Sequence, residues 1–325
     1  MRLSSKHLTL LVLAAIIIIA PIAFPSSFYY RIGALIFVNG LAVTGLVILI
    51  GFAGQISLGH AGFAGIGAYA CALAPAYLGL HPALALVLGT VVSAFIAWLI
   101  GGPILRLKGY YLAVATLGFG ILVSMVLANE AEITGGPDGR EVPELGLRAV
   151  LKIISIDLSN AQFWYAFTGL FLLGGAWVAL NLHNSPSGRA LRALHDSEIA
   201  AGTVGVDVAR YKLSAFVLSA VYASLSGSLL ALMNKFITPD VAGFVHSVEL
   251  VTMTVLGGVG SVAGAIAGAA LLTLLPQVLT VLQEYEHMIF GLIMMLVMIF
   301  MRDGLVPTLS RALSGRSWGD AAALR

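Results

Sequence analysis

Residues 32–105 decide the fold class of this chain, and they read IGALIFVNGLAVTGLVILIGFAGQISLGHAGFAGIGAYACALAPAYLGLHPALALVLGTVVSAFIAWLIGGPIL. None of these 74 residues is Asp, Glu, Lys or Arg. A helix needs about 20 apolar residues to cross the hydrocarbon core of a bilayer, so this stretch holds about three crossings with their turns. A soluble fold could not cover so long an uncharged segment. Residues 32–105 therefore predict consecutive transmembrane helices.

The rest of the chain has the same character. Charged residues number 32 of 325, or 10%, hydrophobic residues make up 59%, and the mean hydropathy is +1.00. Soluble domains carry roughly 25% charged residues, so this composition excludes a soluble enzyme and a disordered protein. The net charge of +2 gives no basic surface for nucleic acid, and the single Cys71 excludes a disulfide framework. We therefore expect an all-α polytopic membrane protein embedded in the lipid bilayer.

The charge-free stretches place about ten transmembrane helices, some of them short or broken. We expect them near residues 8–24, 32–50, 61–80, 83–105, 110–128, 163–182, 213–233, 247–259, 262–283 and 286–301. The stretch 250–283 is too long for one crossing at about 1.5 Å per residue. Gly257, Gly258 and Gly260 offer a tight turn inside it. Without that division the count is nine. The apolar N-terminal segment is interpreted as a retained first helix rather than a cleaved signal peptide, because prolines interrupt the cleavage region.

Basic residues favour ten crossings over nine. With ten crossings and a cytoplasmic N-terminus, twelve Lys and Arg residues lie inside and five outside, as expected from the positive-inside rule. Both termini are then cytoplasmic. We expect a single transmembrane domain over 1–325, with an exterior loop at 129–162, a cytoplasmic loop at 183–212 and a cytoplasmic tail at 302–325.

The cytoplasmic loop contains the signals of a short helix. Asp196 or Ser197 can cap it, Glu198 suits the positive first turn, and Gly205 can end it. A short capped helix with small residues on one face can dock in a groove of another protein. An ordinary connecting loop fits the spacing equally well.

Two glycine-rich segments interrupt the apolar stretches. Residues 51–62 contain four glycines, Gln55, Ser57 and His60. Unwound backbone at membrane depth is tolerated where it lines a cavity or is buried in protein, and a pair of such breaks is typical of a transport pathway. The alternative is close helix packing, which we favour for the stripe Gly260-x3-Gly264-x3-Gly268. His60 is more simply a hydrogen-bonded structural residue than a proton relay.

Residue chemistry limits the energy source. No predicted crossing has an acid in its central part, which disfavours a proton- or sodium-coupled carrier. None of the five lysines is followed by Ser or Thr, so the chain has no Walker A sequence. We also find no sequence cluster with metal-ligand spacing and no paired carboxylates for catalysis. Transport is then either passive or driven by a separate ATPase.

Five motifs follow one another along the chain. They are GFAGQISLGHAGF at 51–63, KGYYLA with TLGFG within 108–120, TGGPDG at 134–139, EIAAG at 198–202 with GV at 205–206, and LGGVGS at 256–261. Together they resemble the LivM-type branched-chain amino acid permeases of ABC importers. Residues 198–206, followed by RYKL at 210–213, resemble the EAA coupling loop of such permeases. Arg140 departs from the pattern, because an apolar residue is usual there in the family.

The resemblance implies a subunit of an ATP-driven importer rather than an enzyme. Its partners would be two ABC ATPase subunits, a second related permease subunit and an extracytoplasmic substrate-binding protein, in a bacterial inner membrane. ATP and Mg would be used by the ATPase subunits, with no cofactor bound by this chain. Leucine, isoleucine and valine are the substrates that the resemblance implies. The alternative is a passive channel or facilitator for a small neutral solute.

The resemblance and the spacing together select two groups of site residues. The residues expected to couple to the ATPase are Arg189, Arg192, Asp196, Glu198, Ala200, Ala201, Gly202 and Gly205. Those expected to shape the translocation pathway are Gly51, Gly54, Gln55, Ser57, Gly59, His60, Gly257, Gly258 and Gly260.

Overall fold

The computed structural model describes residues 5–146, 158–278, 291–292 and 295. The helices of the two long described ranges are α1 (Ser5–Ile19), α2 (Ser27–Leu46), α3 (His60–Leu78), α4 (Pro82–Ile104), α5 (Tyr110–Asn129), α6 (Ala131–Thr134), α7 (Asn160–Asn184), α8 (Pro186–Asp196), α9 (Glu198–Thr203), α10 (Val208–Asn234), α11 (Phe244–Gly257) and α12 (Val262–Val278). Three 3-10 turns cover Ala20–Ala23, Gly136–Asp138 and Pro239–Ala242, and a π-helical turn covers Val47–Phe52. The strands are β1 (Arg140–Glu141) and β2 (Phe236–Ile237).

Six helices in this part of the chain are long and apolar enough to cross a membrane. They are Ser27–Phe52, which joins α2 to the π turn, and α3, α4, α5, α7 and α10. Shorter apolar helices cover His7–Ala23, Phe244–Gly257 and Val262–Gln277. Every crossing predicted before residue 260 therefore coincides with a helix.

The last two predicted crossings are described only in part. The helix expected at 262–283 is described as far as Val278, and the one expected at 286–301 lies outside the described residues except for 291, 292 and 295. The tail at 302–325 also lies outside them. The count of ten crossings and the cytoplasmic position of both termini stay predictions.

Helix α2 runs through the centre of the bundle. It packs against α7, α10 and α12, and 78% of its membrane-spanning window is buried. The corresponding windows of α4 and α5 are only 28% buried. Phe95, Trp98 and Leu122 on those two helices are each more than half exposed. Such an apolar surface is typical of contact with lipid or with another membrane subunit.

Glycines allow the closest contacts between helices. A Cβ on Gly227 of α10 would overlap the carbonyl oxygen of Ala64 in α3, so the two backbones touch at this crossing. In α12, Gly264 and Gly268 lie against backbone carbonyls of α11 in the same way. The predicted packing stripe is confirmed at these two positions. At Gly260, by contrast, a Cβ would have no described neighbour within 4 Å.

Hydrogen bonds hold together the first part of the loop expected at 129–162. Thr134 Oγ1 donates to the carbonyl of Leu127 at 2.7 Å and accepts from the amide of Gly136 at 3.2 Å. Arg140 pairs with Ile237 between the antiparallel strands β1 and β2. Its guanidinium lies 4.9 Å from the centre of the Tyr77 ring. The residue that departs from the family pattern thus fastens this turn to the end of α3.

Candidate coupling site

The loop at 183–212, which is predicted to be cytoplasmic, contains two helices, α8 and α9. Ser185 caps α8 by accepting from the amide of Gly188 at 3.0 Å, with Pro186 as the first helical residue. Ser197 then adopts extended backbone and caps α9, accepting from the amide of Ala200 at 3.2 Å. Gly205 follows with φ of +86°. The predicted cap and stop of the short helix are confirmed, whereas the sequence interpretation missed α8.

Burial divides this helix pair into an inner and an outer face. Leu191, Leu194 and Ala201 are each 2% exposed and face the bundle. Ile199 is 80% exposed and Val204 is 77% exposed. The outer face of the pair therefore exposes two large apolar side chains.

The other predicted coupling residues divide between these faces. Ala200, Gly202, Gly205, Arg189 and Asp196 are exposed. Arg192 is partly buried, and its Nη1 donates to the carbonyl of His183 at 2.6 Å. Arg192 therefore ties α8 to the end of α7 rather than projecting freely.

Glu198 is held against the bundle by lysines. Its carboxylate pairs with the ammonium of Lys212, whose side chain is only 4% exposed. Lys108 Nζ lies 3.9 Å from the same carboxylate, but its side chain is 74% exposed. The Glu198 side chain itself is 27% exposed. Sequence reasoning included Lys212 in the segment that resembles the coupling loop but not among the site residues, and its position beside an exposed loop gave no signal that it would be buried.

The first glycine-rich break contacts the same helix pair. The backbone leaves α-helical geometry at the π turn and becomes irregular before α3 begins at His60. Gly54 has φ of +65°, and a Cβ there would lie 3.1 Å from Nδ1 of His195. The rings of Phe52 and His183 lie 4.9 Å apart. The break therefore rests directly on α8 and on the end of α7.

The two glycine-rich breaks also meet each other. A Cβ on Gly51 would overlap the carbonyl oxygen of Val259, which follows the end of α11. Gly258 ends that helix with φ of +111°, and its carbonyl accepts from the amide of Ser261 at 3.0 Å. We call residues 51–59 together with 257–261 the glycine junction. Sequence alone paired the two breaks by composition, and the structure places them in contact.

Hydrogen bonds anchor the junction to the neighbouring helices. The amide of Leu58 donates to Thr116 Oγ1 of α5 at 3.1 Å, and the amide of Ala61 donates to Ser247 Oγ of α11 at 3.1 Å. Gly59 lies against the carbonyl of Thr116. Gln55 is 6% exposed and donates to the carbonyl of Ala53 at 3.1 Å.

His60 is fixed between two hydroxyl groups. Its Nδ1 lies 2.8 Å from Ser57 Oγ, and its Nε2 lies 2.6 Å from Ser219 Oγ. The residue is 1% exposed. A ring with both nitrogens satisfied in this way holds α3 to α10, which fits the structural interpretation of His60.

Comparison with known proteins identifies the family. Residues 28–298 match the family described as branched-chain amino acid transport system / permease component. The permease LivM of Salmonella typhimurium (strain LT2) is 35% identical over 299 residues, which cover 86% of this chain and 70% of the relative. LivM of Escherichia coli (strain K12) is 34% identical over 281 residues, covering 81% of this chain and 66% of the relative.

A second group of relatives is more distant. The permease LivH of Escherichia coli (strain K12) is 26% identical over 286 residues, covering 82% of this chain and 90% of the relative. Each of these relatives is named as a permease protein of a high-affinity branched-chain amino acid transport system. No solved structure matches the chain.

The family match extends over the helices that form the bundle and over the coupling site, and six of those helices can cross a membrane. The chain is a multi-pass membrane protein that belongs to the branched-chain amino acid transport permeases, as a permease of the LivM type.

Proposed function

We propose that this chain is a transmembrane subunit of an ATP-driven ABC importer of branched-chain amino acids in a bacterial inner membrane. It forms half of the translocation pathway with a second, related permease subunit. Two ATPase subunits bind its cytoplasmic face and use ATP and Mg, and an extracytoplasmic binding protein delivers the substrate. The names of the LivM and LivH relatives support branched-chain amino acids as the substrate.

The exposed apolar residues at α9 are the observation that best supports docking of an ATPase. Ile199 on α9 and Val204 directly after it are exposed, while Ala201 packs the other side of the helix on the bundle. Ala200 and Gly202 are small and exposed between them, so a partner surface can approach the helix closely. A rigid, capped helix with an uncovered apolar face fits a groove in a soluble subunit.

The contacts of α8 link this docking face to the proposed pathway. His195 of α8 touches Gly54, and Gly51 touches Val259 of the second break. A movement of the helix pair therefore reaches both halves of the glycine junction through direct packing. In this mechanism ATP binding draws the ATPases together, displaces α8 and α9, and changes the packing of the junction between outward- and inward-facing states.

The test compares one substitution at two exposed isoleucines. Ile199→Asp places a charge on the docking face, and Ile133→Asp places the same charge on α6, where Ile133 is 49% exposed. We expect ATPase subunits to purify with the wild-type chain and with Ile133→Asp, and to be lost or reduced at least 10-fold with Ile199→Asp. Mass spectrometry of each purified sample and uptake of radiolabelled leucine are the measurements.

The opposite results contradict the proposal. A wild-type chain that purifies from its native membrane without any ATPase, yet conducts leucine down its gradient, would be a passive facilitator. Equal ATPase recovery in both aspartate variants would show that α9 is not the docking face.

A further inference from the structure

Lys212, which was not among the predicted site residues, pairs with the first residue of α9. Lys212 lies in the second turn of α10, and its side chain is 4% exposed. Among the described residues, Glu198 supplies the carboxylate within ion-pair distance of its ammonium group. Glu198 is the first residue of α9. The ion pair therefore joins the proposed docking helix to a membrane-spanning helix.

Burial makes this contact hard to break. An ammonium group removed from water is unfavourable unless a counter-charge or hydrogen-bond acceptors replace its hydration. If α9 moved away from α10, the Lys212 ammonium would lose this counter-charge. Lys108 contributes less, because its exposed side chain is screened by solvent at 3.9 Å from the same carboxylate.

Helix α10 connects α9 to the core of the bundle through its packing contacts. It packs against α2, α3 and α4, and its residue Ser219 bonds the His60 ring at the edge of the glycine junction. Asp207 Oδ1 caps its first turn by accepting from the amide of Arg210 at 3.1 Å, so the end of α10 next to Lys212 is ordered. A displacement of α9 can thus be passed to the core of the bundle along one continuous helix.

We propose that Lys212 is a positioning residue that keeps α9 attached to α10 through Glu198, so that movement of a bound ATPase is transmitted to the membrane helices. This inference rests on the proposed importer function and adds a second route beside the contact of α8 with the junction. Its distinctive consequence is that loss of the pair separates ATP hydrolysis from transport while leaving Ile199 and Val204 free to bind the ATPase.

The experiment uses the complete importer in liposomes, with both permeases, the ATPases and the binding protein. Leucine imported per ATP hydrolysed is measured for Lys212→Met, Glu198→Gln and the exchanged pair Lys212→Glu/Glu198→Lys. We expect both single variants to retain the ATPases and to lose at least 10-fold in leucine per ATP. The exchanged pair restores the attraction and should recover at least 3-fold over either single variant. Lys108→Met is the matched control, with a change below 2-fold.

Several results would overturn the inference. Unchanged leucine per ATP in Lys212→Met, or a loss in Lys108→Met equal to that in Lys212→Met, removes the special role of the buried lysine. If Lys212→Met does not assemble, Glu198→Gln decides, because it keeps the shape of the side chain and removes its charge. A wild-type complex that holds no ATPase contradicts the proposed function instead, so the two failures are distinguishable.

Discussion

Gly51 and Val259, which are 208 positions apart in the chain, touch through their backbones: the α-carbon of Gly51 faces the carbonyl oxygen of Val259 so closely that a Cβ would overlap it. Each residue belongs to a break in an apolar helical stretch. The contact joins the central helix α2 to the hairpin formed by α11 and α12. The two breaks therefore act as one structural unit.

The first prediction concerns this contact. In Gly51→Ala the added methyl group must push α2 away from Val259, which costs about 1–3 kcal/mol of stability, as overpacking does in other cores. We expect a lower unfolding temperature in detergent and slower leucine uptake. Gly174→Ala in α7 is the control, because its Cβ would meet no described atom within 4 Å. Equal unfolding temperatures for the two variants would show that the Gly51 contact is not tight.

The second prediction separates backbone strain from crowding at Gly54. Gly54 has φ of +65° beside His195, whereas Gly79 has φ of +62° with no described atom near its Cβ position. Both alanine variants incur left-handed strain of roughly 1–2 kcal/mol, and only Gly54→Ala also crowds His195. We expect Gly54→Ala to unfold at the lower temperature.

A second substitution can relieve the crowding by His195 but not the left-handed backbone strain. Adding His195→Ala should recover part of the stability lost in Gly54→Ala and none of that lost in Gly79→Ala. Thermal unfolding of the four variants is the measurement. Failure of His195→Ala to help Gly54→Ala would argue against contact between the break and α8.

The third prediction concerns the hydrogen bonds of His60. In Ser219→Ala one ring nitrogen of His60 loses its partner in a buried site, which costs about 1–3 kcal/mol. Ser214→Ala on the same helix removes an exposed hydroxyl that donates to the Tyr211 carbonyl at 2.8 Å, so its cost should be much smaller. Chemical denaturation of both variants tests this difference. Equal stabilities, together with uptake that follows an imposed pH gradient only in the wild type, would favour a proton relay.

Hydropathy predicted the long helices because a bilayer demands a continuous apolar segment of a fixed minimum length. It also located the breaks, since glycines and polar residues stand out inside such segments. Ser197 and Gly205 predicted the ends of α9 because helix caps depend on local backbone geometry. These features are all encoded within a few consecutive residues.

The sequence alone does not predict the contacts between the segments of the candidate site. Helix α8 lies in a polar loop where no membrane constrains composition, so hydropathy does not predict it. Lys212 looked like one of several basic residues at a membrane boundary, and its burial depends on where α9 packs. The meeting of Gly51 with Val259 depends on the relative placement of α2 and α11, which a single sequence does not specify.

The shortness of α11 has a consequence for membrane insertion. Its 14 residues rise about 21 Å, which is less than the roughly 30 Å of the hydrocarbon core. They also include His246 and Glu249, which are costly to transfer into lipid. We therefore expect the insertion machinery to receive α11 together with α12 as a hairpin, after α2 and α3 are in place to cover its polar end. The order of synthesis along the chain meets this requirement.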